Sequence, residues 1–363
     1  MNPFFSLIVP CCDVEPYVAE CLQSVLDQSF QDWECLITIE TSKDRTGEVI
    51  REKTAGDPRF RIFTGPRTGS CSESRNIGTE NARGDYVIFL DGDDLIAGSS
   101  LAKLHDLISA NPGADLYPCA LVTKDELGGA NERRDNYRSD APAEMTGVEA
   151  TLYLKRQRYG RFCPMLQLTV FRREFLMEHN LRCIRGLRCQ DSEFSPRALY
   201  LAKRVVPLHE PFYIYRIRAN SVQTATRKAG DFLKDWSIIT GSLLKFYREV
   251  SRKPDFDPRV AECWCSQWLS RMNYLWFSAQ ATRTIPRQRR LETLRTVFAD
   301  GFDVHRDILK DGSFAQKLSG VMVRTFVRHP SLRWATELFF RIYFLLAEGK
   351  GKSQSGFRTA LNP

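Results

Sequence analysis

The chain has 363 residues, 43% hydrophobic and 26% charged, a composition ordinary for a folded soluble protein and against intrinsic disorder. Its 52 Lys+Arg against 44 Asp+Glu give a net charge of +8, which suits anionic partners such as nucleotides, lipid phosphates or a membrane surface without choosing among them. The 11 cysteines show no CxxC pair and no spaced Cys/His set of the zinc type, so reduced thiols packed as small apolar residues are expected, and with them a cytosolic compartment.

The N-terminus lacks a basic n-region, and its apolar run is short, so it reads as a first strand and not a signal peptide. Ser6 to Val9 is that strand, closed by Pro10. Val14 to Ser29 carries Val18, Leu22, Val25 and Leu26 at helical spacing. Trp33 to Ile39 reads as a strand, Asp44 to Thr54 as a helix, and Arg59 to Thr64 as a third strand. A turn-rich stretch to Ser72 precedes a helix over Glu73 to Ala82. The strand Tyr86 to Leu90 follows, then a helix over Leu101 to Ala110 and strand-like Asp115 to Val122. Asp125 to Pro142 is polar and reads as a surface excursion. Phe162 to Phe171 is apolar, Arg172 to His179 helical, and Leu181 to Cys189 basic and irregular. Asp191 to Leu201 looks helical, and Arg204 to Tyr215 supplies one or two short strands. Alternating strands and helices argue for βαβ units, an α/β fold and a mostly parallel sheet. From about Asp231 the pattern changes to helices without strands, over Phe232–Val250, Val260–Ala281, Pro286–Phe298 and Ser313–Val327. No segment offers about 18 uncharged apolar residues, so no transmembrane helix is expected.

The strand at Tyr86 ends abruptly in Asp91-Gly92-Asp93-Asp94. Open α/β sheets bind ligands at the C-terminal ends of their strands. Clustered carboxylates there repel one another. A hard divalent cation shared with a diphosphate would satisfy them; so would water around an acidic turn.

Six stretches, in order, resemble glycosyltransferase family 2, the inverting nucleotide-sugar transferases with a GT-A fold. They are Ser6-Leu7-Ile8-Val9-Pro10; Ser24-Val25-Leu26-Asp27-Gln28-Ser29-Phe30; Ser74-Arg75-Asn76-Ile77-Gly78 with Ala82-Arg83-Gly84-Asp85-Tyr86; Phe89-Leu90-Asp91-Gly92-Asp93-Asp94; Gln190-Asp191-Ser192-Glu193-Phe194 with Arg197; and Tyr213-Ile214-Tyr215-Arg216 with Asn220-Ser221. The resemblance covers roughly residues 4–224. It implies a GT-A domain over residues 1–225, followed by a helical C-terminal region over 226–363.

What the resemblance implies can be carried over residue by residue. Asp93 stands at the metal-binding aspartate, and Asp91 and Gly92 belong to the same motif; Mn²⁺ or Mg²⁺ held by Asp93 and Asp91 is therefore expected. Arg75 matches a basic position near the nucleotide, the alternative being an exposed helix charge. Asp191 matches the catalytic base, the alternative being a helix N-cap. Gln190 stands where the family usually has Glu, and Glu193 is a fallback base. The base-binding part departs more. Glu40 replaces an aspartate after the second strand. The loop Pro10-Cys11-Cys12-Asp13 lacks the aromatic face the family often places there, which leaves Pro10, Cys12, Asp13 and Glu40 as the expected wall of the nucleotide site. Asp13 and Glu15 could instead cap loops. Arg182, Arg185 and Arg188 form either a basic lid over the diphosphate or a solvated loop, and Arg216 and Arg218 raise the same question. Without a Gln-x-x-Arg-Trp motif after Asp191, single addition is favoured over polymerisation.

The expected partners are a nucleotide-diphosphate sugar, with UDP favoured, and a glycan or lipid-linked acceptor, as in bacterial surface-polysaccharide assembly. No nucleic-acid partner is expected. Arg324, Arg328, Arg333 and Arg341, interleaved with Phe326, Trp334, Phe339, Phe340, Tyr343 and Phe344, fit either a helix lying on the inner face of an anionic membrane or an ordinary core helix. A GT-A-like protein that binds nucleotide or glycan without turnover is the alternative function. A nucleotidyltransferase would need a Gly- and Lys-rich loop after the first strand, which Pro10 to Tyr17 does not supply.

Overall fold

The computed structural model describes residues 2–135, 137–157, 165–219 and 229–260, with Cys263, Gln288, Val321 and Ser331. The chain divides into two compact units: Met1–Gln157 with Cys163–Arg218, and Arg158–Phe162 with Ala219–Pro363. The division falls at Arg218/Ala219, where the sequence reading placed it after residue 225.

In the first unit the elements run β1 (Phe5–Cys11), α1 (Glu15–Leu26), β2 (Trp33–Glu40), α2 (Thr46–Thr54), β3 (Phe60–Gly65), α3 (Ser72–Asn81), β4 (Tyr86–Phe89), β5 (Leu95–Ile96), α4 (Ser100–Ala110), β6 (Leu116–Pro118), β7 (Ala120–Asp125), β8 (Arg133–Arg134), α5 (Gly147–Gln157), β9 (Thr169–Arg172), α6 (Arg173–Glu178), α7 (Asp191–Leu201) and β10 (Pro211–Ile217). One sheet has the order β3-β2-β1-β4-β9-β6. β3, β2, β1 and β4 are parallel, while β9 runs antiparallel to both β4 and β6. The α/β character read from the alternation is what the structure has. Every residue of β1 is buried, as expected of a central strand covered on both faces. α1 buries Val18, Cys21, Leu22 and Val25, the three- and four-residue spacing of one helix face. Gly78 lets α3 lie directly on β1: a Cβ there would stand 2.3 Å from the Ile8 side chain.

From β1 the chain builds β2 and β3 on one side, then returns to place β4 on the other. The strand order therefore reverses between β1 and β4, which opens a crevice at their C-terminal ends. A second sheet, β5-β10-β7-β8, adjoins that crevice in sequence: β5 begins one residue after Asp94 and pairs antiparallel with β10, Tyr213 opposite Ile96. β10 is thereby brought beside the acidic turn.

Several boundaries differ from expectation. Pro10 does not close β1; it lies inside the strand, paired in register with Thr38. The single strand expected over residues 115–122 is two, β6 and β7, in different sheets. The change comes at Pro118, which has no N–H to donate to a ladder. α5 was not read. It opens with a reciprocal box in which Thr146 N donates to Glu149 Oε2 (2.8 Å) and Glu149 N to Thr146 Oγ1 (3.2 Å).

In the second unit, α8 (Ala229–Val250) is described, close to the expected Phe232–Val250. It buries Trp236, Ile239, Leu244, Tyr247 and Val250. Of the other expected C-terminal helices only Val260, Cys263, Gln288 and Val321 are among the described residues, and of the basic-aromatic stretch over 324–344 only Ser331. Among the described residues no helix is long and apolar enough to cross a membrane, and nine cysteines are free thiols.

Candidate functional site

The acidic turn continues the ladder between β4 and β1: Leu90 N donates to Ile8 O (3.0 Å) and Gly92 N to Pro10 O (3.3 Å). Gly92 fits closely there: a Cβ would stand 2.8 Å from Cys11 Sγ and 3.1 Å from Pro10 O, so any other residue would force a shift. The three aspartates are then pulled in three directions. Asp91 takes Arg75 Nη2 on Oδ1 and Gln167 Nε2 on Oδ2, the latter at 2.7 Å. Asp94 is buried, and takes Tyr213 Oη on Oδ2 (2.7 Å) and Arg216 N on Oδ1 (2.8 Å). Asp93 takes Arg218 Nε (3.0 Å) and Nη2 (2.7 Å), both on Oδ2. Burial first, and the neighbouring carboxylates second, push Asp93 up and Asp94 well up from the ordinary carboxylate range.

Arg75 ties this turn to the start of α7. Its Nη1 donates to Gln190 Oε1 at 2.7 Å, and Gln190 Nε2 reaches Ser70 Oγ (3.3 Å) and Cys71 Sγ (3.2 Å). The next residue is Asp191, the first of α7. Its Oδ1 accepts the Leu166 backbone N–H at 3.3 Å. Burial raises its pKa; the Arg75 charge and the Leu166 bond offset that only in part. Two residues on, Glu193 is bound differently: both its oxygens meet Arg197, at 2.7 and 2.8 Å. Asp191 thus takes a backbone N–H on one oxygen, whereas each Glu193 oxygen takes a bond from the same guanidinium.

A family profile, Glycosyl transferase family 2, matches residues 6–179. The chain is 32% identical over 225 residues to an uncharacterized glycosyltransferase, EpsJ, of Bacillus subtilis (strain 168), covering 61% of this chain and 63% of that one. Residues 6–179 are a family 2 glycosyltransferase domain. The chain is also 23% identical over 225 residues to glycosyltransferase GlyG of Streptococcus pneumoniae serotype 4 (strain ATCC BAA-334 / TIGR4), covering 61% of this chain and 73% of that one. Among solved structures, S. aureus TarS 1-349 in complex with UDP-GlcNAc matches with a TM-score of 0.67 at 19% identity, over 94% of this chain and 89% of that one. At that identity the match speaks for the fold. The chain spans just under two thirds of EpsJ.

The structure brings Arg75, Asp91, Gly92 and Asp93 of this domain into one network with Gln190-Asp191, which lie beyond residue 179, and with Pro10 at its edge. Arg75 is no exposed helix charge; it is 3% exposed. Asp13, Cys12 and Glu40 stand at the ends of β1 and β2, and Glu40 joins the network through Thr68, which bonds Ser70, the partner of Gln190. Asp13 adopts a positive φ of 51°, accepts Lys43 N (2.7 Å) and pairs with Arg67 Nη2 (2.6 Å). The Arg67 bond holds its carboxyl below the usual range. Glu40 is buried, and its oxygens accept Thr68 Oγ1 (2.7 Å), Thr68 N (3.0 Å) and Ser74 Oγ (3.2 Å). Glu15 accepts Arg45 N at 2.9 Å, the loop-capping role. The basic loop before Asp191 is fastened to α3 and the turn before it. Ser70 and Ser72 hydroxyls both donate to Leu187 O at 2.7 Å, and Asn76 exchanges two 2.9 Å bonds with Cys183.

Gln167 and Tyr213 were given no role from sequence. Each is a polar group inside an apolar run. A buried phenol or amide needs a partner, and that was the available signal. Which partner it would find was not in the sequence.

Proposed function

We propose that this chain is an inverting, metal-dependent glycosyltransferase that moves a sugar from a nucleotide-diphosphate donor, UDP-sugar favoured, to a hydroxyl of a glycan or lipid-linked acceptor in surface-polysaccharide assembly. The observation that carries this reading is the pairing of two unlike carboxyl environments through one arginine. Arg75 holds Asp91 of the acidic turn with one nitrogen and the neighbour of Asp191 with another. One side of the network suits a charged diphosphate and the other suits a proton acceptor.

The residues present fit a divalent ion of the kind that needs few protein ligands. Among the described residues no three His, Cys, Asp or Glu side chains are grouped to hold a metal by themselves. Mg²⁺-type sites, however, commonly use one or two carboxylates completed by substrate phosphates. Asp93 suits that, because both Arg218 bonds fall on Oδ2 and leave Oδ1 outside the pair. Asp91 suits it less, since each of its oxygens already has a donor. When bound, such an ion would neutralise charge growing on the leaving diphosphate.

The chain's own part is proton removal and orientation. Asp191 takes the proton of the acceptor hydroxyl as its oxygen attacks the anomeric carbon. The bond from that carbon to the diphosphate oxygen breaks, and its electron pair leaves with the diphosphate. Burial of Asp191 makes it a stronger base than an ordinary aspartate. Attack opposite the leaving group inverts the anomeric centre.

Glu40, already satisfied by Thr68 and Ser74, favours one competing reading: a domain that binds nucleotide or glycan without turnover. A panel of UDP- and GDP-sugars, with Mn²⁺ and without, decides. Metal-dependent transfer with an inverted product anomer by NMR supports the proposal; nucleotide binding without transfer or hydrolysis supports the binding protein. Contact of residues 324–344 with an anionic membrane, at its cytoplasmic face, is proposed on composition alone. Flotation with anionic liposomes at low and high salt tests it, since each Lys/Arg near the surface is worth about 1 kcal/mol.

A further inference from the structure

Arg216 and Arg218 lie on one face of the same strand end, and both guanidinium groups sit over the Tyr17 ring, at 5.1 and 4.6 Å. Their bonding differs. Arg216 is 2% exposed in its side chain and is built into the fold. Its Nη2 meets Glu20 (2.7 Å), its Nη1 meets Glu126, and its Nε meets the Asp93 carbonyl (2.8 Å). Arg218 stands one residue beyond β10 and gives two N–H groups to one oxygen of Asp93. In that pair the side chains are 14% and 23% exposed. Of the three aspartates in the turn, Asp93 alone among the described residues has its carboxylate bonded to this cation.

We propose that Arg218 is a resident counter-ion that a divalent cation must displace from Asp93, so that metal and diphosphate bind only in concert. This rests on the reading of the site as a nucleotide-diphosphate site. The physical argument is one of exchange. A metal ion arriving alone gains one carboxylate and breaks two charge-assisted hydrogen bonds, while facing the nearby guanidinium charge. A metal ion arriving with a diphosphate gains phosphate oxygens as well. The released guanidinium gains phosphate oxygens in turn, and the Tyr17 face keeps it close. Each ligand thus removes a cost the other would meet, which is positive coupling, and by linkage it is reciprocal.

The test is Mn²⁺ titration followed by the free-ion EPR signal, with and without UDP, on the wild-type chain, Arg218→Ala, Arg218→Gln, Arg218→Lys and Asp93→Ala. In the wild type, UDP should tighten Mn²⁺ binding by about tenfold or more, within the usual range of coupling between two ligands. Arg218→Ala and Arg218→Gln should bind Mn²⁺ alone more tightly than wild type and show a smaller UDP effect. Arg218→Lys should fall between them, and Asp93→Ala should lose Mn²⁺ binding in both conditions. Circular dichroism checks that each variant is folded, and agreement between the Ala and Gln variants guards against a local packing artefact. If Arg218→Ala leaves Mn²⁺ affinity without UDP unchanged or weaker while UDP still tightens it, the counter-ion role is overturned and the donor-site reading stands. If the wild type binds neither Mn²⁺ nor UDP, both fall.

Discussion

The turn after β4 and the first turn of α7 each carry more than one carboxylate, and the protein treats the two regions oppositely. After β4, charge is met by charge: Arg75 at Asp91 and Arg218 at Asp93, with Tyr213 and the Arg216 backbone N–H at Asp94. At α7 the charges are sorted instead. Glu193 receives a two-bond clamp from Arg197, and Asp191 receives a single backbone N–H. Under the proposed function the first region exchanges one cation for another and the second exchanges a proton. Two carboxylates two residues apart thus differ in their partners, one clamped by Arg197 and the other bonded to a backbone N–H.

The comparison breaks most decisively at Asp191. Asp191→Asn keeps the size and loses the proton acceptor, so transfer should fall by roughly 10²–10⁴-fold, the usual worth of a positioned base, while UDP affinity stays near wild type. Steady-state rates with calorimetric UDP binding would show it, and unchanged rates would remove Asp191 from the mechanism. Arg75→Met strikes the link between the two regions. It leaves Asp91 without its cation inside the protein, a loss on the order of 3–5 kcal/mol for a broken buried pair. Chemical denaturation should show that drop, and UDP affinity should fall with it. A variant as stable as wild type would mean the Arg75 pair is not holding the site.

Glu193→Gln sharpens the contrast within α7. It trades a charged clamp for neutral bonds at a buried position, so roughly 1–3 kcal/mol of stability should be lost. Transfer should change far less than in Asp191→Asn; if the ranking reverses, Glu193 is the base. The smallest effect is one of pH. Burial raises the Asp191 pKa in the folded protein, so the folded state holds that proton more tightly than the unfolded one. The stabilisation this brings is complete below the unfolded-state pKa and is lost as pH rises through the higher folded-state value. Asp191→Asn should therefore melt slightly above wild type at neutral pH, with the gap closing in acid. The wild-type rate should fall over the same window as the base protonates.

Much of this was legible from residue order. The alternation of β1 through β4 with α1 to α3 follows from short apolar runs separated by stretches of period-3.6 apolar spacing, which is local and survives in a string of letters. The acidic turn was legible as a buried strand stopping in three carboxylates, while the choice between a cation and water around them was not. α5 carried a readable Thr146–Glu149 box that its weak apolar spacing obscured. The split of β6 from β7 was signalled only by Pro118.

What the tertiary structure alone decided was partnership. Arg75 lies 16 residues before Asp91 and 115 before Gln190, and nothing in that spacing pairs them. They meet because Gly78 seats α3 on β1 and because Ser70, Ser72 and Asn76 fasten the loop before α7 onto α3. Arg218 reaches Asp93 across 125 residues because β5 pairs with β10. Sequence specifies which side chains carry charge and which faces are apolar; the distances between charges arise from burying those faces, and distance determines whether a carboxylate is clamped, exchanges a cation, or takes a proton.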